Sequence, residues 1–306
     1  MEFLKLLESI RNPILDAFFS FVTMFGEETV FIVVALIWVW CVNKHQGYYI
    51  LFVGLIGTVL NQFLKITFRV ERPWVQDPSF TVVESAKPQA TGYSFPSGHT
   101  QCAVGTFSSI GLSNKNKALR IICAAICILV PLSRMYLGVH TPLDTIVGLV
   151  IAFFTAALLK PVMDKAKNSI VVMRTVMALL MTLSLSYIAF CIFLAPGLGV
   201  DAEHLSETIS DACKMSGCFA GLWISFEMDR RYIHFDTEGE LLTQIVKASL
   251  GLAIAMLIKS LTKEPLLFLF EGSDIAHAVR YFLVAIFAGC IWPLSFSRIR
   301  YFCEKQ

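Results

Sequence analysis

The stretch SRMYLGVHTPLDTIVGLVIAFFTAALLK, residues 133–160, joins a polar segment to a long apolar run. Its last part has the composition of a membrane-spanning helix, which needs about 20 residues. Thr141, Pro142 and Asp144 predict where that helix starts: a threonine cap, a proline in the first turn, and an acidic residue that closes a capping box. The polar residues of this stretch therefore stand at a membrane surface.

The composition of the whole chain supports a membrane protein. Of 306 residues, 56% are hydrophobic and 16% are charged, and the mean hydropathy is +0.67. Soluble domains carry about 25% charged residues, so this composition excludes an ordinary soluble globule and a disordered chain. The net charge of +2, without a basic run interleaved with aromatic residues, argues against nucleic-acid binding.

Apolar runs along the chain predict ten helices. They lie at 9–25, 28–43, 47–66, 99–114, 118–135, 140–160, 169–194, 209–227, 242–260 and 275–296. We therefore expect an all-α, polytopic transmembrane helical bundle, in which the short second, fourth and eighth helices are tilted, kinked or partly interfacial. A polar break near residues 160–169 predicts a six-helix core over 1–160 and a C-terminal region of about four helices over 161–306.

Lysine and arginine in the short loops predict the orientation. Under the ten-helix count, one face carries Lys44, Lys115, Lys117, Arg120, Lys160, Lys165, Lys167, Arg230, Arg231, Arg298 and Arg300. We expect that face, with both termini, to be cytoplasmic in a multi-pass protein of the cell membrane. The long polar loop at 69–95 then lies on the extracytoplasmic side.

Three polar blocks carry the residues suited to chemistry. They are KITFRVERP at 65–73, PSGH at 96–99 and SRMYLGVHTPLD at 133–144. One helical hairpin separates His99 from His140, so both histidines return to the same membrane face, on which Lys65 ends the preceding span. So many ionisable groups at a membrane surface are costly unless they bind something.

This set of residues fits the binding of a phosphate. The cations Lys65, Arg72 and Arg134 can clamp its nonbridging oxygens, because arginine forks match phosphate geometry. Ser97 adds a donor, and Gly98 lets the backbone at the start of a helix approach the anion closely. Ser133 either bonds the phosphate or bonds a neighbouring helix.

The two histidines and the carboxylate fit phosphoryl transfer through a covalent histidine intermediate. His140 can attack phosphorus if its ring is neutral, and Asp144 can accept the other ring proton. His99 can protonate the leaving group and then activate water as a base. This chemistry needs no metal and no cofactor.

The three blocks resemble the type 2 phosphatidic acid phosphatase superfamily, with its pattern K-x6-R-P, then P-S-G-H, then S-R-x5-H-x3-D. All eleven fixed positions match. They are Lys65, Arg72, Pro73, Pro96, Ser97, Gly98, His99, Ser133, Arg134, His140 and Asp144. The resemblance implies a six-helix membrane core and the hydrolysis of a phosphate ester or diphosphate, with His140 as nucleophile, His99 as general acid and base, and Asp144 as the orienting partner.

The substrate expected from this reading is a lipid phosphate. The motif residues are suited to bind a terminal phosphate and do not select among lipids. The candidates that carry this group are phosphatidic acid, phosphatidylglycerol phosphate, polyprenyl diphosphate and sphingoid phosphates. A lipid phosphotransferase that uses the same site is one alternative. A lipid transporter or scramblase with a phosphate-binding cluster is another, although binding alone has no use for a nucleophile and an acid.

The C-terminal region shows weaker signals. Gly217 and Gly221 form a GxxxG spacing that is typical of close helix packing. Cys213 and Cys218 flank the mouth of a predicted span, and we assign no disulfide to them. Several charged residues after residue 200 are interpreted as solvated helix ends or, alternatively, as a collar that selects substrate.

Overall fold

A computed structural model describes residues 1–304, and its regular structure is helical throughout that range. The helices are α1 Glu2–Ser9, α2 Pro13–Thr23, α3 Glu28–Ile37, α4 Lys44–Phe68, α5 Pro73–Gln76, α6 Gly98–Ser113, α7 Lys117–Tyr136, α8 Pro142–Ala166, α9 Ile170–Ala189, α10 Ala202–Met228, α11 Leu241–Leu261, α12 Lys263–Leu269, α13 Ile275–Ile286 and α14 Phe296–Glu304. The all-α prediction is confirmed, and each of the ten predicted segments falls on a helix.

Six helical segments among the described residues are long and apolar enough to cross a membrane. They are Lys44–Gln76, Lys117–Tyr136, Pro142–Ala166, Ile170–Leu198, Leu241–Leu269 and Ile275–Glu304. The α2–α3 pair, bent by 55° at its break, makes a seventh if it crosses as one span. The chain is therefore a multi-pass membrane protein.

Two predicted spans fall outside this set for physical reasons. Helix α6 has 16 residues, so at 1.5 Å per residue it is about 24 Å long, shorter than a bilayer core of about 30 Å. Helix α10 has 27 residues, but polar side chains, including Asp211 and Lys214, lower its hydropathy. The total of about ten spans stays a prediction.

The chain divides into two compact units. The N-terminal unit comprises Met1–Ile32 and Tyr49–Asp164, and the C-terminal unit comprises Val33–Tyr48 and the residues from Lys165 onward. The division after residue 164 lies close to the expected break after residue 160. The inclusion of 33–48 in the C-terminal unit was not predicted. The functional roles assigned to 1–160 and 161–306 stay predictions.

Polar contacts tie the 33–48 segment to the C-terminal unit. The Trp40 indole nitrogen donates to the Ala288 carbonyl at 2.8 Å. Lys44 Nζ lies 2.6 Å from the Asp229 carboxylate and donates to the Phe235 carbonyl at 2.6 Å. Because these bonds join residues about 190 to 250 positions apart, apolar periodicity along the chain does not reveal them.

In the N-terminal unit, the start of the chain secures the long loop between α4 and α6. Leu4 of α1, a helix that precedes the first predicted segment, packs against Phe80 and Met135. Arg11 donates to the Tyr136 carbonyl at 3.0 Å. Gly138 has a φ of +83°, and a Cβ there would lie 2.7 Å from an Arg11 side-chain nitrogen, so this turn requires glycine.

Helices α10 and α13 of the C-terminal unit pack with their backbones in close contact. A Cβ at Gly217 would lie 1.9 Å from the Ala278 carbonyl oxygen, and one at Gly221 would lie 2.6 Å from the Ala285 Cβ. The GxxxG spacing therefore does mark a helix interface, and this prediction is confirmed.

We expect Gly217→Ala to lower the unfolding temperature of the purified protein, because the new methyl group must push α13 away and overpacking costs about 1–3 kcal/mol. Gly197→Ala is the matched control, since a Cβ at Gly197 meets nothing within 4 Å. The measurement is thermal unfolding in detergent. Equal melting temperatures for the two variants would contradict this account of the interface.

Candidate active site

The residues of the three motifs come from six places in the N-terminal unit. Lys65 lies in the last turn of α4, and Arg72 precedes α5. Ser97 caps α6, which begins with Gly98 and His99, and Ser133 and Arg134 lie in the last turn of α7. His140 follows in the loop, and Asp144 lies in the first turn of α8. The structure brings these blocks together, as the contacts below show.

His140 is buried, with 2% of its surface exposed, and both ring nitrogens have neighbours. Its Nε2 lies 3.0 Å from Arg72 Nη1. Because a guanidinium nitrogen can only donate, Nε2 is assigned as the acceptor and carries the lone pair. The ring proton is then on Nδ1, which lies 3.5 Å from Asp144 Oδ2. The ring presents the atom that a nucleophile needs.

Asp144 lies in a capping box and also faces His140. Its carboxylate accepts from the Thr141 backbone N–H at 2.7 Å, and its own N–H donates to Thr141 Oγ1 at 3.3 Å. This reciprocal pair is a capping box, as predicted. The same Oδ2 lies 3.5 Å from His140 Nδ1, so the start of α8 fixes the position of the carboxylate beside the ring. The Ser97 N–H also donates to the Asp144 carbonyl at 3.0 Å, which joins α6 to α8.

Sequence reasoning missed Ser94. This fully buried serine donates from Oγ to Asp144 Oδ2 at 2.6 Å, and the same Oγ lies 3.4 Å from His140 Nδ1. The hydroxyl therefore contacts both members of the predicted His–Asp pair. In the sequence, only its position two residues before Pro96 connects Ser94 with the predicted site. Serine is common in polar loops, so its presence alone does not indicate a functional role.

Arg134 is fully buried and incompletely bonded. Its Nη1 donates to Thr23 Oγ1 at 2.8 Å, but its Nε and Nη2 have no hydrogen-bond partner among the described residues. The His99 Nε2 atom is likewise buried without a partner. Buried polar groups are normally satisfied, and these open groups are suited to an absent polar ligand.

Arg72 is held by the loop that surrounds it. Its guanidinium donates to the carbonyls of Thr91 at 2.6 Å, Gly92 at 3.0 Å and Val139 at 3.1 Å. Several of its donors are therefore engaged by the backbone. Among the described residues, the hydrogen-bond contact that Arg72 makes with a side chain of the predicted site is the one to His140. A buried arginine fixed in this way is positioned before any ligand arrives.

The remaining predicted residues differ in how their polar groups are used. Ser97 Oγ accepts from the Thr100 N–H at 3.4 Å and caps α6. Ser133 Oγ donates to Val130 O at 2.7 Å, so its hydroxyl bonds its own helix rather than a neighbouring one. A Cβ at Gly98 would make only an ordinary contact, at 3.7 Å, with the Asn61 side chain. Protein packing alone therefore does not demand glycine at that position.

Burial is the main cause that holds the pKa of His140 well below its usual value near 6.5, followed by the charges of Arg72, Arg134 and Lys65. A pKa shifted down in this way keeps the imidazole neutral at pH 7. The neutral form agrees with the lone pair assigned to Nε2.

Two sequence profiles match the chain. That of the PAP2 superfamily matches residues 46–168, and that described as "PAP2 superfamily phosphatase, transmembrane extension" matches residues 213–305. The first range contains all three motifs. The second lies within the C-terminal unit, to which the motifs do not extend.

Curated relatives agree with the profiles. A probable sphingosine-1-phosphate phosphatase of Dictyostelium discoideum is 31% identical over 159 residues, 48% of this chain and 38% of that protein. An undecaprenyl-diphosphatase of Sulfolobus acidocaldarius is 31% identical over 150 residues, 48% of this chain and 70% of that protein. A dihydrosphingosine 1-phosphate phosphatase of Schizosaccharomyces pombe is 23% identical over 283 residues, 86% of this chain and 66% of that protein.

The chain belongs to the PAP2 superfamily, a family of membrane lipid phosphatases that hydrolyse phosphate esters. The resemblance inferred from the motifs is thereby confirmed. The matched part spans 38% of the D. discoideum relative and 66% of the S. pombe relative, so it covers only part of the length of these two proteins.

We expect Ser94→Ala to lower kcat by about tenfold or more with little change in KM, because a hydrogen bond to a charged group contributes about 1.5–3 kcal/mol and Ser94 contacts the His–Asp pair. Steady-state kinetics on a lipid phosphate measures both constants. Ser79→Ala, in an exposed part of the same loop, is the control. An unchanged kcat, or a loss matched by a fall in folded protein, would remove Ser94 from the mechanism.

The acid limb of the pH–rate profile should respond to the charge of Lys65. That charge lowers the His140 pKa, so Lys65→Gln raises the pKa and moves the loss of kcat/KM on acidification to higher pH. The ionisation of the substrate is common to both proteins and cancels in the comparison. Lys115→Gln, which removes an exposed lysine from another loop, should leave the limb in place. A shift to lower pH would contradict the electrostatic assignment.

Proposed function

We propose that this chain is a metal-independent integral membrane phosphatase that removes a phosphate or diphosphate end from a lipid through a phosphohistidine intermediate. The observation that supports the proposal is the environment of His140. Its ring is buried and neutral, the Nε2 lone pair faces Arg72, and Nδ1 lies 3.5 Å from the Asp144 carboxylate. A histidine arranged in this way has the protonation state of a nucleophile.

The phosphate is proposed to bind where the open donors converge. The unpartnered Nε and Nη2 of Arg134, together with Arg72 and Lys65, supply positive charge for the nonbridging oxygens. Ser97 and Gly98 at the N-terminus of α6 add the favourable end of a helix dipole. These groups stabilise the charge that spreads over the oxygens in the transition state.

In the first step, the Arg72 N–H that bonds His140 Nε2 turns to a phosphate oxygen, the freed Nε2 lone pair attacks phosphorus, and the bond from phosphorus to the lipid oxygen breaks. His99 takes up a proton when the phosphate anion binds beside it, and it donates that proton to the departing oxygen, so the lipid leaves as an alcohol or a monophosphate. The Nδ1 proton stays on His140, and the Asp144 carboxylate, fixed by Ser94, stabilises the positive charge that develops on the ring.

In the second step, water attacks the phosphohistidine on the opposite side of phosphorus. His99, now neutral, takes the proton from that water, and the bond from phosphorus to Nε2 breaks. Inorganic phosphate leaves, and His140 returns to the neutral form with its lone pair on Nε2. Each step conserves protons, because His99 gives one and regains one per turnover.

A sphingoid phosphate is the substrate that we place first. The relative that aligns over 86% of this chain, including much of the C-terminal unit, is named a dihydrosphingosine 1-phosphate phosphatase. Undecaprenyl diphosphate is the second candidate, because two further relatives are named undecaprenyl-diphosphatases. A phosphatidic acid or phosphatidylglycerol phosphate uses the same phosphate chemistry.

We propose that the site opens on the extracytoplasmic side of the cell membrane and that both termini are cytoplasmic. The support is the loop-charge pattern, in which lysines and arginines concentrate on the opposite face of the predicted bundle. In this arrangement, residues 1–160 form the catalytic core, and residues 161–306 form an accessory membrane region with about four helices.

Phosphate release by the purified full chain from a panel of lipid mono- and diphosphates, in excess chelator, tests the proposal. We expect release to persist in chelator and to fall by about a thousandfold or more in His140→Ala, since the nucleophile is removed. His204→Ala, which lies in the C-terminal unit, is the matched histidine control and should retain full activity.

Three outcomes would overturn the proposal. Full activity in His140→Ala would remove the nucleophile. Loss in chelator that is restored by added metal would replace the metal-free mechanism. Transfer of phosphate to an added alcohol without release would make the protein a phosphotransferase, and movement of intact lipid across vesicles without either reaction would make it a transporter.

A further inference from the structure

One buried arginine of the C-terminal unit makes no hydrogen bond or ion pair with the residues that the structure describes. Arg280 on α13 is 8% exposed, and its Nε is buried without a hydrogen bond to any described residue. No carboxylate of residues 1–304 comes within 4 Å of its guanidinium, whereas Arg174 in the same unit binds Glu227 at 2.7 and 2.8 Å. A guanidinium stays charged and is costly to bury unpaired, so this arrangement indicates an anion that is not part of the protein.

A second cation lies beside the same aromatic ring. The Arg280 Cζ atom is 5.3 Å from the centroid of the Tyr281 ring, and the Nζ atom of Lys259, on α11, is 5.6 Å from that centroid. Lys259 is also without a carboxylate within 4 Å among the described residues. Two positive charges this near to one ring repel each other, and an anion bound with them would relieve the repulsion.

The neighbouring charges do not neutralise this pair. Lys214 is bound to Asp211 at 2.7 Å, and Lys263 is bound to Glu264 at 3.6 Å, so these two carboxylates are engaged by lysines. His277 lies three residues before Arg280 on α13, on the same helix face, and offers a further donor. Asp274, at the start of α13, acts on His277 but forms no ion pair with Arg280.

The surroundings favour a lipid as the source of the anion. Helix α12 packs against α13, and large apolar side chains on these two helices are exposed, among them Phe268 at 89% and Ile275 at 55%. Acyl chains of a lipid can cover such surfaces while the headgroup reaches the cations. Basic sites between membrane helices bind phosphate headgroups in this way.

We propose that Arg280 and Lys259 bind the phosphate group of an anionic membrane lipid, with His277 as an additional donor. The site uses residues of the C-terminal unit alone and does not depend on the phosphatase chemistry of His140. Its ligand class is a phosphate ester that stays bound, rather than one that is cleaved, because no carboxylate of residues 1–304 lies within 4 Å of the His277 ring nitrogens, whereas Asp144 lies 3.5 Å from His140.

Thermal unfolding of the delipidated full chain in neutral detergent tests this site. The probe is phosphatidylglycerol added in mixed micelles, with phosphatidylcholine and inorganic phosphate as comparison ligands. We expect phosphatidylglycerol to raise the unfolding temperature of the wild type. The lipid concentration at half effect should rise at least about tenfold in Arg280→Gln, which loses charged hydrogen bonds, and by a smaller factor in Lys259→Gln.

The control is Arg298→Gln, which removes an exposed arginine from the same unit and should leave the lipid response unchanged. Binding elsewhere in the protein is common to all variants and cancels in the comparison. Without lipid, Arg280→Gln should unfold at the same temperature as the wild type or a higher one, since an unpaired buried charge is gone. If Arg280→Gln does not fold, the phosphatidylglycerol concentration at half effect is compared between the wild type and the variants Arg280→Lys and Lys259→Gln.

An equal phosphatidylglycerol response in the wild type and in the Arg280 variant would overturn the proposal. Equal protection by phosphatidylcholine would overturn the requirement for an anionic lipid. Full protection by inorganic phosphate alone, lost in Arg280→Gln, would overturn the lipid source and assign the site to a free anion.

Discussion

The contact between Arg72 and His140 is the constraint on which the N-terminal unit depends. A guanidinium 3.0 Å from Nε2 requires a lone pair on that atom, so the buried ring is neutral and its proton faces Asp144. Holding this contact takes backbone carbonyls from the long loop and from the turn before α8. The loop is in turn secured by Arg11, which donates to the Thr81 carbonyl, and by α1, which packs against Phe80. The remote start of the chain thus helps to position His140 Nε2.

Both units bury an arginine that the protein itself does not fully satisfy. Arg134 in the N-terminal unit and Arg280 in the C-terminal unit each have a buried Nε without a hydrogen bond to the described residues. Arg134 is fully buried, whereas Arg280 keeps 8% of its surface exposed, so a ligand can reach Arg280 from the surface of its unit. A membrane protein bears such a cost where an anionic ligand completes the bonding.

Much of the site was predictable because its residues occur at fixed spacings in three short blocks. The spacing from Ser133 to Asp144 encodes a helix end, a turn and a capped helix start, and local rules predict each of these. The Gly217–Gly221 interface was predictable for the same reason. Ser94 was not, because its role depends on the distance to Asp144 across 50 residues of sequence. Thr23 and Arg134, which are also hydrogen-bonded, are separated by 111 residues of sequence.

The sequence by itself determined that the protein lies in a lipid bilayer, that its fold is all-α, and that its residues are suited to phosphoryl transfer. Apolar runs require helices in lipid, since backbone groups must be satisfied within each segment, and the paired histidines with three cations indicate phosphoryl transfer. Only the tertiary structure decided which hydrogen-bond donors of Arg72 and Arg134 are engaged by the protein and that 33–48 belongs with the C-terminal unit. It also decided that Arg280 is buried without a hydrogen bond from its Nε to any described residue. These features depend on distances between segments far apart in the chain, and hydropathy and local spacing carry no information about those distances.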